Sequence, residues 1–148
     1  MTLTPSNHYI NTSTVAFTPT GGSLVALTGI KSISMNEGIE VLQEGADADF
    51  YPTVGGAIGA NPSISLTSNN AFSIYATIAG AYGVLVYTAN DFTNAATTAG
   101  GAKITTMSNA FLASRGREHP YHQLATQALM FHSTSTDGST SPLAIAAA

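Results

Sequence analysis

The sequence predicts a mainly β fold, a β-sandwich or barrel of about seven or eight strands with one flanking α-helix. Two observations carry this prediction. Short runs of β-branched and other apolar residues recur along the chain, separated by clusters of Gly, Pro, Asn and Asp. Only one stretch is favoured as an amphipathic helix by its spacing of apolar residues. With 148 residues, the chain has the length of a single domain.

The first strands follow a polar N-terminal segment. Residues 1–13 are rich in Thr, Ser and Asn, which predicts a flexible arm ahead of a single β-sandwich or barrel domain covering 14–148. Strands are predicted over 14–18 and 24–35, and a bulge or bend near Gly29 would account for the imperfect alternation of apolar residues around Ser32 in the second strand. Asn36-Glu37-Gly38 then predicts a hairpin turn into a strand over 39–43.

The one predicted helix begins at Ser68 or Asn69, which can cap its N-terminus, and ends at Gly80, a residue favoured after a helix. A buried strand is the alternative for this stretch. Residues 121–132 fit both a helical and an alternating pattern, and we favour a strand because the sequence beyond them is strand-like. The remaining assignments are an exposed acidic loop at 44–49, a loop at 89–102, a turn at 137–142, and strands at 64–67, 83–88, 103–108 and 143–146.

Composition narrows the function classes. Only 8% of the residues are charged and the net charge is −4, so the surface repels other copies weakly and we expect large contacts with other protein chains. Four basic residues are too few to hold a nucleic-acid backbone. The absence of Cys excludes disulfides, thiolate metal sites and a Cys nucleophile. Neither a secretory leader nor an apolar run of about 18 residues is present, so no membrane partner is expected.

The candidate chemical sites are weak. His119 and His122 could begin a metal site, with Glu118 and His132 as the nearest further ligands, but ordinary surface histidines are favoured. The acidic loop lacks the ligand spacing of a calcium-binding loop. No Ser lies in a Gly-x-Ser-x-Gly elbow, and the glycine cluster at 55–59 lacks the Lys of a P-loop. We therefore expect no catalytic, cofactor-binding or metal-binding residue, and no enzyme.

The charged residues are concentrated in two places. Five of the eight acidic residues lie between Gly29 and Thr67, and the sequence Arg115-Gly116-Arg117-Glu118 holds two of the four basic ones. Opposite charges at two places on one chain suggest that they meet between neighbouring subunits. A solvated loop is the alternative for the basic cluster.

Two motifs give the chain a family resemblance. The acidic loop after the predicted hairpin carries Gly45, Asp47, Asp49 and Pro52, and the C-terminal sequence DGSTSPLAIA (137–146) combines an Asp-Gly turn with a Pro-Leu start to the last strand. In both respects the sequence resembles the tail tube proteins of long-tailed bacteriophages. The segment SRGREHPYH has no counterpart in that pattern.

This resemblance implies a structural virion protein located in the tail and assembled in the host cytoplasm. Copies would form stacked hexameric rings around a channel, with other tail proteins as partners, DNA only as passing cargo and no cofactor. Acidic groups lining such a channel would repel phosphates and let DNA slide. The residues expected at the lumen or at contacts between subunits are Glu37, Glu40, Glu44, Asp47, Asp49, Arg115 and Arg117.

Two other functions remain open at this point. One is another virion component on a related barrel, such as a head decoration or tail hub protein. The other is a β-sandwich that binds a small ligand or carbohydrate, for which the histidine cluster is the supporting feature.

Overall fold

The computed structural model of the chain describes residues 9–48, 50–52, 54–69, 78, 80–91 and 103–147. The predicted mainly β class is confirmed, with ten strands defined in this part of the chain. They are β1 (Tyr9–Pro19), β2 (Val25–Ala26), β3 (Ile30–Asn36), β4 (Ile39–Glu44), β5 (Val54–Ala60), β6 (Ser63–Ser68), β7 (Tyr82–Asp91), β8 (Lys103–Glu118), β9 (Thr126–Ser133) and β10 (Leu143–Ala147).

Eight strands form one antiparallel sheet in the order β2-β1-β7-β8-β9-β6-β3. Strand β10 also pairs with β8, along Lys103–Met107, whereas β9 pairs with the second half of β8. Strands β9 and β10 therefore lie one after the other along the same side of β8. Strands β4 and β5 form a separate two-stranded sheet.

The core lies on one face of the sheet and follows the period-two pattern of its strands. In β6 and β9 every second side chain is buried, and the buried residues face each other across the ladder, Ile64 with Phe131 and Leu66 with Leu129. Phe17 of β1 packs against Phe131 with ring centroids 5.4 Å apart. Each such side chain stabilises the fold by roughly 1.5–3 kcal/mol when removed from water.

The sheet curls so that its two edge strands come close together. A flat path of seven strands at about 4.8 Å spacing would separate β2 from β3 by roughly 29 Å. Only residues 27–29 connect them, and four Cα steps reach at most about 14 Å. The sheet is therefore strongly curved, and its two edge strands, β2 and β3, are not paired with each other.

The three connecting residues join the two edges by hydrogen bonds. Leu27 N donates to Val15 O of β1 (2.9 Å), and the other edge is held where Ser68 Oγ donates to Thr28 O (2.6 Å). Gly29 has a φ of 69°, and the β3–β6 register shifts between Ile30 and Ser32. The bulge or bend predicted near Gly29 is thus confirmed.

The hairpin predicted at Asn36-Glu37-Gly38 is wrong. Strand β3 pairs with β6 and β4 pairs with β5, so β3 and β4 are not partners. Gly38 N donates to Asn36 Oδ1 (2.9 Å), and Asn61 N donates to Gly38 O (2.8 Å). These bonds make 36–38 a local irregularity in one long extended segment, and the chain reverses only after Glu44.

Several predictions fall partly outside the described residues. The predicted helix covers 70–77 and 79, which are not described, and no helical element is defined elsewhere in the described chain; the flanking helix stays a prediction. No helix in that part is long and apolar enough to span a bilayer. Strand β1 begins at Tyr9, within the predicted arm, and pairs there with β7. The strand favoured within 121–132 is confirmed as β9.

Candidate functional site

The most prominent surface feature is a two-stranded projection, called the ribbon here, made of β4, β5 and the connecting residues 45–53. It continues the β3–β6 pair beyond the end of the main sheet, because Asn36 pairs with Ser63 and Ile39 with Ala60 in the same sense. Six residues of β4 give it a length of roughly 20 Å. Every side chain of β4 is exposed.

The exposed surface of the ribbon is largely apolar. Ile39 and Val41 each expose more than half of their surface, and Leu42 is also exposed. At the far end Phe50 is 89% and Tyr51 75% exposed, with the two rings packed edge to face at 4.9 Å. Exposed apolar clusters of this kind mark interaction surfaces more often than isolated apolar residues do.

The ribbon also carries most of the acidic residues predicted as contact or lumen groups. Glu37 lies at its base, Glu40 and Glu44 lie on β4, and Asp47 lies in the connecting turn, all four exposed. Asp49 lies outside the described residues. The structure therefore places the four described carboxylates on one projection, in accordance with their closeness in sequence.

The predicted basic residues lie on a second projection, called the hairpin end here, which comprises residues 114–125. Strand β8 continues to Glu118 and turns into β9, with Glu118 opposite Thr126. Arg115 and Arg117 are both exposed. Tyr121 is 87% and Leu124 74% exposed, so this end of the sheet also combines charge with apolar side chains.

The two projections leave the main sheet at opposite ends. On β9, the ribbon side is marked by His132, which pairs with Ser63, and the hairpin side by Gln127, which pairs with Ser68. The ribbon continues outward from Ser63, whereas the hairpin end continues outward from Thr126. The acidic and basic residues of one subunit are therefore separated by the length of the sheet.

A groove of about 640 Å³ lies where the ribbon joins the sheet, between residues 59–62 and the segment 133–142. Asp137 braces the outer wall: its carboxylate accepts hydrogen bonds from Thr140 Oγ1 (2.6 Å), Thr140 N (2.7 Å), Ser139 N (2.9 Å) and Ser135 Oγ (2.8 Å). The hydrogen bond from the Thr140 side chain, followed by those from the backbone, lowers the pKa of Asp137 well below its ordinary value. The wall is thus built around an ionised carboxylate.

The structure places His132 far from His119. His132 lies on β9 opposite Phe111, and its Nδ1 donates to Asn61 Oδ1 (3.2 Å). Glu118 lies seven positions further along β8 than Phe111, which corresponds to roughly 23 Å. His119 follows directly after Glu118. Among the described residues no group of three or more potential ligands is close enough to hold a metal ion.

Sequence reasoning identified the charged residues but missed the apolar ones beside them. Phe50, Tyr51 and Tyr121 each lie next to a Pro or a charged residue, a context typical of loops, whereas Leu124 lies between Gln123 and Ala125. Large apolar residues in such a polar context could have indicated exposed contacts. The length of β8 was missed because SRGRE has no apolar alternation.

Comparisons with known proteins bear on the fold. No protein-family model matches the sequence, and a search of the curated proteins finds no relative. Solved structures do match: a chain of the six-fold symmetrised baseplate of the anti-feeding prophage is 12% identical with a TM-score of 0.57, covering 99% of this chain and 97% of that one.

Two further structures match over the full length of both chains. One is a chain of the sheath–tube complex of an extracellular contractile injection system, PVC, in its extended state, with 11% identity and a TM-score of 0.53. The other is a chain of the tube-terminating cap of the anti-feeding prophage, with 13% identity and the same TM-score. The chain shares the fold of these proteins. The resemblance to tail tube proteins is confirmed at the level of the fold.

Proposed function

We propose that this chain is a tail tube subunit, a structural protein without catalytic activity, that assembles into stacked hexameric rings around a channel for DNA. The observation that carries the proposal is the ribbon, because its apolar side chains are exposed in the single subunit. An isolated two-stranded hairpin is only marginally stable in water. A partner that covers the ribbon would stabilise it, and copies of the same chain are the partner that a weakly charged surface favours.

Closure of the rings would use the edges of the main sheet. Strand β10 pairs only with β8 among the described strands, and Ile145 on it is 59% exposed. An unpaired strand edge is a template for pairing with another chain. The groove at the base of the ribbon, whose wall Asp137 braces, offers a further concave surface for a neighbour.

The acidic balance of the chain supports a channel through which DNA passes without being retained. A protein that binds DNA tightly neutralises several phosphates with Lys and Arg, and this chain has only four such residues against eight acidic ones. We propose that some of the acidic residues Glu37, Glu40, Glu44, Asp47 and Asp49 face the lumen and that the others, with Arg115 and Arg117, contact neighbouring subunits.

The structural comparisons support the same role and location. The matching chains come from a sheath–tube complex, a tube-terminating cap and a six-fold symmetrised baseplate. By analogy we place this protein in a phage tail, assembled in the host cytoplasm, with other tail proteins as neighbours. Likeness to a baseplate chain also favours one second candidate, a position at the end of the tube such as that of a tail hub protein.

Electron microscopy of the purified chain, with light scattering during size-exclusion chromatography, tests the proposal. We expect six-fold rings and hollow tubes. Val41→Ser on the ribbon should weaken assembly, whereas Val84→Ser, the same change at a partly exposed position of β7, serves as the control. A chain that remains monomeric at high concentration contradicts the proposed function, and rings that never stack would favour the end-of-tube position.

A further inference from the structure

We propose that the turn between β9 and β10 protects its own Asp137–Gly138 linkage from spontaneous conversion to isoaspartate. The protecting residues belong to the segment 135–140, called the Asp137 loop here. This protection operates within a single subunit, so it is independent of the proposed function and of any assembly.

An Asp-Gly pair is the sequence in which aspartate reacts most readily with its own backbone, because glycine has no side chain to hinder the approach. The reaction begins when the amide nitrogen of Gly138 attacks Cγ of Asp137. A C–N bond forms, the nitrogen loses its proton, and a carboxyl oxygen leaves as water, which gives a five-membered succinimide ring. Water then opens the ring at the main-chain carbonyl, and the backbone afterwards runs through the former side chain. One water is released and one is consumed, so the isoaspartyl product has an unchanged mass.

The turn requires both members of this vulnerable pair. Gly138 has a φ of 75°, in the left-handed region that residues with a side chain rarely adopt. A Cβ at this position would meet nothing within 4 Å, so the backbone conformation, not lack of space, requires glycine. The carboxylate of Asp137 accepts from Ser139 N (2.9 Å) and Thr140 N (2.7 Å), a role that favours Asp in turns. Protection must therefore come from the residues around the pair.

The first protection is the ionised state of the carboxylate. Succinimide formation expels one carboxyl oxygen, which leaves readily only from a protonated carboxyl group. In addition to the two backbone N–H groups, Thr140 Oγ1 donates to Oδ2 of Asp137 (2.6 Å) and Ser135 Oγ donates to Oδ1 (2.8 Å). Hydrogen bonds to an ionised acceptor are stronger than those between neutral groups. They lower the pKa of Asp137, with the Thr140 side chain as the largest cause, so the reactive protonated form is rare at neutral pH.

The second protection is the restraint on both reacting atoms. Ring closure brings the Gly138 nitrogen and Asp137 Cγ from non-bonded contact to bonding distance, which changes the side-chain and backbone torsions of Asp137. The hydrogen bonds to its carboxylate oppose this change, because their donors lie on both sides of Asp137 in sequence. The attacking nitrogen is also engaged, since Gly138 N donates to Ser135 Oγ (3.1 Å). The hydroxyl of Ser135 thus holds both partners of the reaction.

Isomerisation would lengthen the backbone of the turn by one carbon atom, and the turn leads directly into β10. Ser108 N of β8 donates to Pro142 O (2.9 Å), and Leu143 N donates to Ser141 Oγ (3.2 Å). These bonds fix the point at which β10 begins to pair with β8. A lengthened turn would displace this point, so the protection preserves the pairing of the last strand.

The isoaspartate content of the folded chain, measured during storage for several weeks at neutral pH and physiological temperature, tests the protection. Trypsin cleaves after Arg117, and the resulting peptide 118–148 contains Asp137 as its only Asp and no Asn. Isoaspartate in this peptide therefore arises at Asp137 alone. It is measured by chromatographic retention and by methylation with an isoaspartyl methyltransferase, because the mass does not change. The same chain in concentrated urea gives the unprotected rate.

We expect the folded chain to form isoaspartate at least about tenfold more slowly than the chain in urea. Thr140→Val removes the hydroxyl donor but keeps the backbone N–H, and Ser135→Ala removes the hydroxyl that contacts both reacting groups. Each change should raise the rate in the folded chain by roughly fivefold or more, as expected for the loss of one hydrogen bond to a charged group. Ser139→Ala is the matched control, because the bond from Ser139 to Asp137 comes from its backbone, and it should react at the wild-type rate.

Ile64→Val, a change in the core on β6, lowers the stability of the whole domain without altering the Asp137 loop and should also leave the rate unchanged. Equal rates in the folded wild type and in urea would overturn the protection. So would a Thr140→Val or Ser135→Ala chain that reacts no faster than the wild type. A Ser139→Ala or Ile64→Val chain that reacts as fast as those two variants would overturn it as well, since general stability would then account for the rates.

Discussion

Gly83 is the position at which a single methyl group should cost most. It lies in β7 beside Pro19 of β1, and an added Cβ would overlap the carbonyl oxygen of Thr18 and come within 2.9 Å of both Phe17 Cζ and Pro19 Cα. The backbone of Gly83 is not in the left-handed region, so the cost of Gly83→Ala arises from lack of space. Because two of the crowded atoms belong to backbone, a rotamer change of one side chain cannot relieve the overlap.

The size of the effect can be worked out from known overpacking costs. Extra methyl groups in well-packed cores cost about 1–3 kcal/mol, and the backbone overlap places Gly83→Ala at or above the upper value. For a chain of this length 1 kcal/mol lowers Tm by about 2–4 °C. We therefore expect a loss of roughly 6–12 °C.

Gly116→Ala is the matched control, since the same methyl group at this exposed position of β8 would meet nothing within 4 Å. Alanine is favoured over glycine within a strand by roughly 0.5–1 kcal/mol, so Tm should rise by a few degrees at most. Circular dichroism of dilute, monomeric protein measures both values. A Gly83→Ala Tm within 2 °C of the wild type, or equal shifts in the two variants, would refute this account of β1–β7 packing.

Three further changes have defined outcomes. The pKa of Asp137 is lowered from 3.8, so the ionised carboxylate stabilises the fold above pH 3.8, and this contribution is lost as the pH falls through the folded-state pKa. Asp137→Asn should therefore lower stability at neutral pH. In urea titrations at a series of pH values, the unfolding midpoint of the variant should fall less steeply towards acid pH than that of the wild type. Gln127→Met should stabilise the fold by about 1–2 kcal/mol in urea titrations, because both amide atoms of Gln127 are buried without a hydrogen-bond partner in the described structure; an unchanged midpoint would contradict this. Phe131→Ala should cost about 3–5 kcal/mol, and a double-mutant cycle with Phe17→Ala should return about 0.5–1.5 kcal/mol of coupling between the rings; additive losses would show that the rings do not interact.

Local pattern was sufficient to predict many of the elements. The strand over 64–67 and that over 143–146 are present almost as predicted, because alternation and flanking turn residues depend only on neighbours in sequence. The irregularity near Gly29 was predictable for the same reason. The pairing of the strands was less predictable from sequence, because an Asn-Glu-Gly sequence suits both a chain reversal and a kink.

The hydrogen bond that decides between these comes from Asn61, which is distant in sequence from Gly38. The candidate site was predictable only in its charges. The four described acidic residues of this stretch lie on one projection because they belong to one short segment of the chain, residues 37–47. Of the apolar residues at the two tips, Phe50 and Tyr121 have a loop-like context that could have indicated exposure, whereas Leu124, between Gln123 and Ala125, would suit a core equally well. Their exposure results from where β4, β5 and β8 extend beyond the sheet.

The topology also sets an order of events when the chain folds. The strands of the ribbon are joined by nine residues, whereas Thr14 and Thr88 in the β1–β7 ladder are 74 positions apart. Short loops close faster than long ones and distant pairings slow folding. On a ribosome the two strands of the ribbon can pair before β7 has been synthesised, so the exposed apolar surface of the ribbon forms before the main sheet is complete. Rapid production of this chain should therefore increase its demand for chaperones.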